Sequence, residues 1–125
     1  MDITNQGTIS LNKPLTQEAL DAILSVNEEF VKKTVLKVGD TDIYVEDFFD
    51  SEFDGTMNEI IDAISPLGYV LNGEVNYWGD YEGKTFITDN KVESVDVQGL
   101  WEYELADEYI IEVLEKRGYT VTKTA

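Results

Sequence analysis

Between residues 38 and 83 the chain carries twelve carboxylates and no lysine, arginine or histidine. The acids are Asp40, Asp42, Glu46, Asp47, Asp50, Glu52, Asp54, Glu59, Asp62, Glu74, Asp80 and Glu82, and among them stand Tyr44, Phe48, Phe49, Phe53, Tyr69, Tyr77, Trp78 and Tyr81. Like charges with no counter-cation repel one another and oppose a compact state. Any fold that contains this stretch must offset that repulsion by burying aromatic rings, which remove large apolar areas from water. The expectation is a folded and intensely anionic protein.

The chain has 125 residues, which predicts a single domain over 1–125. Hydrophobic residues make up 42% of it, enough for a core despite the charge. No apolar run approaches the roughly 20 residues of a membrane-spanning helix. The opening residues MDITNQGTISLNK lack the basic-then-apolar pattern of a secretory signal, so a cytoplasmic location is expected. There is no cysteine and no histidine, which removes disulfides, thiolate chemistry, the common base for serine catalysis and the common zinc ligands. Carboxylate pairs occur by chance among 26 acids and single out no catalytic pair. The sequence therefore assigns no catalytic residue, no cofactor and no metal site, and an enzyme is not expected. A net charge of −17 repels nucleic-acid phosphate and anionic membrane. A basic protein surface or a cation remains as partner, unless the charge serves solubility alone.

Pattern and punctuation predict an α+β fold: an antiparallel sheet, a meander of about five to seven strands, with three helices packed on it. Residues 7–11 alternate as a strand. Thr16 is a good N-cap, and Leu15 and Leu20 have the spacing of a hydrophobic staple, opening a helix over 17–29. Residues 34–38 and 42–46 are expected as strands around a Gly39–Asp40 turn, followed by an acidic, aromatic loop over 47–55. Thr56 and Glu59 have capping-box spacing for a helix that Pro66 ends near Ile64. Strands follow over 69–78, 84–88 and 92–97, with turns at 79–83 and 89–90. A last amphipathic helix is expected over 105–117 with Gly118 as its stop, then a short strand over 119–121.

The run Asp50, Glu52, Asp54, Gly55 resembles the opening of an EF-hand calcium loop, with oxygen ligands at positions 1, 3 and 5 and glycine at 6. Position 12 is Ile61 rather than a bidentate glutamate, and no helix precedes Asp50, so an acidic loop leading into a capped helix is the simpler expectation. Trp78 and Tyr81 fall at a predicted hairpin tip with Asp80 and Glu82. They can form a hot spot for a basic partner, since arginine stacks on rings and pairs with carboxylates, or Trp78 can pack beneath its own hairpin.

A second cation-free run over 92–115 holds Glu93, Asp96, Glu102, Glu104, Asp107, Glu108, Glu112 and Glu115. Solubility alone does not require lysine to be excluded from two long windows, because mixed signs are soluble too. In size, charge and lack of His and Cys the chain resembles the small acidic inhibitors of phages and mobile elements, including DNA-mimic and anti-CRISPR proteins. The run YVLNGEVNYWGDYEGKTFITDNKVES is similar to proteins of phages and plasmids of Gram-positive bacteria. The resemblance carries over no individual residue and implies inhibition of a host nuclease or DNA-binding factor. The expectation is a protein-binding domain that occupies the basic groove of a nucleic-acid-binding protein, with no direct contact to nucleic acid or membrane. Its candidate partner-binding residues are Asp40, Asp42, Glu46, Asp47, Asp50, Glu52, Asp54, Trp78, Asp80, Tyr81, Glu82, Glu104, Asp107, Glu108 and Glu112. A structural or accessory domain that self-associates is the alternative. A calcium-tuned module is a third reading.

Overall fold

The computed structural model describes residues 3–80, 82–96, 115, 116 and 118. Five strands form one sheet: β1 (Ile3–Leu11), β2 (Asp42–Phe49), β3 (Leu71–Gly79), β4 (Gly83–Thr88) and β5 (Lys91–Asp96). Their order is β2-β1-β3-β4-β5, and every neighbouring pair is antiparallel. Among the described residues up to 96, three α-helices, α1 (Gln17–Val26), α2 (Glu28–Thr34) and α3 (Phe53–Ile64), stand with the sheet in an α+β architecture.

Alternation along the strands divides the sheet into two faces. Ile9 and Leu11 of β1, Ile43, Val45 and Phe48 of β2, Leu71 and Val75 of β3 and Ile87 of β4 are buried in one core cluster with Ala19, Ile23, Phe30, Val31, Met57, Ile60 and Ile64 of the helices. Three rings knit it together edge to face: Phe30 to Phe48 at 5.6 Å and Phe48 to Phe53 at 6.0 Å between centroids. This is the aromatic burial that the acidic stretch requires. Tyr44, Phe49 and Trp78 take the other course and stay exposed.

The N-cap of α1 forms as expected, with the Thr16 hydroxyl accepting from Ala19 N–H at 3.2 Å. Tyr69 anchors the same corner: its hydroxyl donates to Pro14 O at 2.9 Å and accepts from Thr16 N–H at 3.0 Å. The predicted 17–29 helix is, however, two helices. Asn27 leaves the helical region (φ −157°, ψ 86°) and its Oδ1 accepts from Phe30 N–H, so a side-chain cap restarts the chain in a new direction. The new axis carries Phe30 and Val31 into the core.

The strand expected over 34–38 is also overturned, and with it the Gly39–Asp40 hairpin. Thr34 ends α2, Val35 adopts a left-handed conformation (φ 51°), and Leu36 N–H donates to Val31 O at 3.2 Å. The β-propensity of Val35, Leu36 and Val38 yields to the burial of Leu36 beneath this turn. Freed of that hairpin, β2 pairs with β1 instead and runs to Phe49, past the predicted end at 46. Between the pairs Asn5↔Phe48 and Gly7↔Val45, two residues of β2, Glu46 and Asp47, oppose the single Gln6. This is a bulge, and Asp47 has the positive φ (47°) that such an insertion uses. It shifts the alternation, so Phe48 turns inward and Phe49 faces solvent.

The helix expected from Thr56 starts three residues earlier, at Phe53, and no capping box forms. Glu52 holds the cap position with no side-chain cap bond, and Asp50 braces the entry to the helix: Oδ1 accepts from Glu52 N–H, and Oδ2 accepts from the Thr56 hydroxyl. The helix yields to a short 3-10 turn over Ser65–Leu67, and Gly68 (φ 88°) makes the stop. The β4–β5 turn matches its expectation, with Asp89 (φ 46°) and Asn90 (φ 69°) both left-handed, as a two-residue type I′ hairpin demands. Glu115 and Lys116 are helical, and Gly118 (φ 87°) donates to Glu115 O. The rest of the predicted 105–117 helix and the 119–121 strand lie outside the described residues.

Candidate functional site

The helix-covered face of the sheet is apolar towards the Leu11 end of β1 and polar towards its Ile3 end. Cross-strand register explains why. Asn5 pairs with Tyr77, Tyr77 with Gly83, and Gly83 with Asp96, in one row across β1, β3, β4 and β5. The adjoining row sets Val75 against Thr85 and Thr85 against Ser94. These side chains have the parity of core positions but are polar. The start of α3 closes over them, leaving a cleft of about 180 Å³ lined by Ile3, Asn5, Asp50, Ser51, Phe53, Asp54, Tyr77, Thr85, Ser94 and Asp96.

Each wall is fixed by identifiable bonds. Asn5 is fully buried, and its Nδ2 donates to Phe48 O and to Asp50 O, both at 2.9 Å. These two bonds orient the amide and tie β1 to the end of β2. They leave Asn5 Oδ1 buried and without a donor among the described residues. Asp50 is consumed by structure: its carboxylate accepts from Glu52 N–H and the Thr56 hydroxyl, its carbonyl accepts from Asn5 and its N–H donates to Ile3 O at 3.1 Å. The Thr85 and Ser94 hydroxyls lie 3.0 Å apart. Gly83 makes room for the Tyr77 phenol, because a Cβ there would come within 2.5 Å of its oxygen and would strike the Val95 carbonyl. Burial, then the carboxylates of Asp96 and Asp54, push the Tyr77 phenol well above its ordinary value. It therefore stays a neutral hydroxyl, and the potential around it is negative.

The candidate residues divide between the two ends of the sheet. Asp47, Asp50, Glu52 and Asp54 follow β2 and open α3, Asp80 and Glu82 lie in the β3–β4 turn, and Asp96 ends β5. By register all of these belong to the Ile3 end. Glu46 sits in the bulge just before them. Trp78 is exposed on the face of the sheet away from α1–α3, opposite Thr4 and next but one to Phe49, so it does not pack beneath its own hairpin. Asp40 and Asp42 lie at the other end and are separated from this group. Asp40 shapes its own loop, its Oδ2 accepting from Lys37 N–H at 3.0 Å. Tyr81, Glu104, Asp107, Glu108 and Glu112 lie outside the described residues.

Three of the described lysines lie at the other end. Lys13, Lys37 and Lys91 flank the Leu11 end, where β1 closes and β2 and β5 begin. Lys32 and Lys33 pair with Glu28 and Glu29 along α2. Lys84 lies near the acidic end but on the face away from α1–α3, 3.4 Å from Glu74.

The acidic loop does not form a calcium cage. Phe53 and Asp54 already belong to α3, and Asp50 faces its own helix. Among the described residues no group of three or more acids is placed to hold a metal ion. Nor is any helix of the described residues long and apolar enough to cross a membrane. Sequence reasoning passed over Asn5, Ser51, Thr85 and Ser94, and named Asp96 only as part of an acidic run. The available signal was parity: Asn5 shares a strand face with Ile9 and Leu11, Thr85 with Ile87, and Ser94 with Val92. No family model, curated protein or solved structure matches this chain.

Proposed function

We propose that the chain is a protein-binding domain whose acidic end enters the basic groove of a nucleic-acid-binding protein or nuclease, in the manner of a DNA mimic. The observation that supports it is the polarity of the sheet. Carboxylates from three separate segments, 47–54, 80–82 and 96, gather at the Ile3 end, while at the Leu11 end Lys13, Lys37 and Lys91 stand among Asp40, Asp42 and Asp89 and offset their charge. Carboxylates gathered at one end concentrate a negative field that steers a cationic groove onto it. The reading involves no catalytic step, and it places the protein in the cytoplasm with its partner. The test is capture of partners at rising ionic strength. Raising salt from about 0.1 M to about 1 M shortens the screening length from about 10 Å to about 3 Å. A groove-bound partner is basic and leaves the protein over that range. Recovery of no basic protein, or of one indifferent to salt, sinks the reading.

A second reading, self-association as an accessory domain, is favoured by Tyr44, Phe49 and Trp78, which are 56%, 74% and 40% exposed on the face away from α1–α3. Light scattering on the pure protein separates the two: a stable dimer that Phe49→Ser and Trp78→Ser dissolve favours the second, and a monomer the first.

A further inference from the structure

The face of the sheet away from α1–α3 carries aromatic rings that the gathering of charge does not explain. At its Ile3 end Thr4 pairs with Phe49 on one side and with Trp78 on the other, and both aromatic residues are exposed. The next outward row holds Glu46, Gln6 and Asn76, and the one after it Tyr44, Thr8 and Glu74. The patch is thus a grid of three strands by three rows. Towards the β5 edge of the same face Phe86 and Val95 are buried. Apolar groups over β4 and β5 are withdrawn from water, and the rings over β2 and β3 are not. Exposed apolar groups that stand together mark a surface for interaction.

We propose that this patch docks the basic partner, and that an arginine guanidinium of that partner seats between Phe49 and Trp78, over Thr4. The inference rests on the groove-binding reading for the partner's charge, and names the surface and the side chain that meet. Side chains stand roughly perpendicular to a sheet, and two strand spacings set the Phe49 and Trp78 backbones about 10 Å apart. One flat group stacked about 3.5 Å from each ring needs about 7 Å, and the short Thr4 side chain leaves that slot open. Charge complementarity selects the occupant. Glu46 and Asp47 lie beside the rings in the β2 bulge, and Lys84 is engaged with Glu74 at 3.4 Å. Arginine stacks its planar face on rings and pairs its edge with carboxylates, which a compact ammonium does less well. A second copy of the chain fits poorly. Two-fold pairing sets a patch against itself, here acids against acids in a chain of net charge −17. The grid covers about 14 Å by about 20 Å, or about 300 Å², against about 800 Å² per partner in a stable interface. Its size suits a hot spot within a larger, charge-steered contact.

The test is an NMR titration of the full chain with an end-blocked Gly-Arg-Gly-Arg-Gly peptide at constant ionic strength. The same peptide with lysine, and with citrulline, which is flat but uncharged, are the controls. The arginine peptide should shift the Trp78 indole and Phe49 ring signals saturably. The lysine peptide should bind about threefold more weakly, and the citrulline peptide about tenfold more weakly. The Phe49→Ser/Trp78→Ser variant should lose the preference for arginine. A Leu24→Ser/Val26→Ser variant, which removes exposed apolar groups from α1 instead, should keep it. Equal binding of the arginine and lysine peptides, no saturable shift, or equal loss from both variants overturns the proposal. Signals of Phe49 and Trp78 that move on dilution of the protein alone also overturn it, and assign the patch to a second copy. A basic protein captured equally by the unaltered chain and by Phe49→Ser/Trp78→Ser removes this seat and keeps the groove reading. Arginine-selective shifts with no basic protein captured keep the seat and remove the groove reading.

Discussion

Val35 holds a left-handed backbone (φ 51°) at the end of α2 while 73% exposed. A β-branched residue is a poor occupant of that region, where the L-configuration sets Cβ against the following carbonyl. Its place is fixed by Leu36, which must turn back into the core. Val35→Gly should therefore stabilise the protein by about 1 kcal/mol, read as a higher urea midpoint at unchanged slope. Tyr77 allows a second prediction. Burial, then Asp96 and Asp54, raise its phenol above the ordinary value of 10.0. With the folded value above the unfolded one, the native state holds its proton longer. The stabilisation is complete below about pH 10 and is lost as pH rises from there through the folded value. In an alkaline absorbance titration one tyrosine should ionise late. That late phase should vanish in Tyr77→Phe and move to lower pH in Asp96→Asn.

Elements that announce themselves by local chemistry were legible in the chain. Thr16 caps α1, Pro66 and Gly68 end the run after α3, and Asp89–Asn90 makes the β4–β5 hairpin, each by a rule acting over a few residues. Elements decided by distant partners were not legible. Nothing near Val35 states that α2 must press Phe30 and Val31 against the sheet, and nothing near Glu46 states that β2 will add to β1 with a bulge. The start of α3 shows the distinction within a single element. Thr56 and Glu59 have capping-box spacing, yet the helix entry is braced by Asp50, which is itself held by Ile3 and Asn5 of β1. Asp50→Ala removes both carboxylate bonds and should cost about 1.5 to 3 kcal/mol, the range for hydrogen bonds to a charged group. Glu59→Ala should leave the thermal midpoint almost unchanged. Comparable losses from both would restore the capping box.

At the scale of the whole molecule, the surplus of negative charge was plain from composition, but its distribution was not. The register of five strands brings Asp96 into the row of Tyr77, at the cleft that Asp54 of α3 also lines, and sends Asp40 and Asp42 to the far end. The same register builds the cleft from Asn5, Tyr77, Thr85, Ser94 and Asp96. Carboxylates crowded at one end repel one another in the folded state, so screening salt should raise the thermal midpoint by a few degrees between about 0.1 M and about 1 M. Neutralising Asp47, Glu52, Asp54 and Asp80 together should reproduce much of that rise at low salt. The most direct test of the central claim sets that quadruple amide variant against one in which Glu18, Asp21, Glu28 and Glu29 of α1 and α2 are neutralised, so that both lose equal charge. Captured at low salt on equal amounts of each, a basic nucleic-acid-binding partner should be lost with the first and kept with the second. Equal loss from both would show that net charge, and not its gathering at the Ile3 end, governs binding.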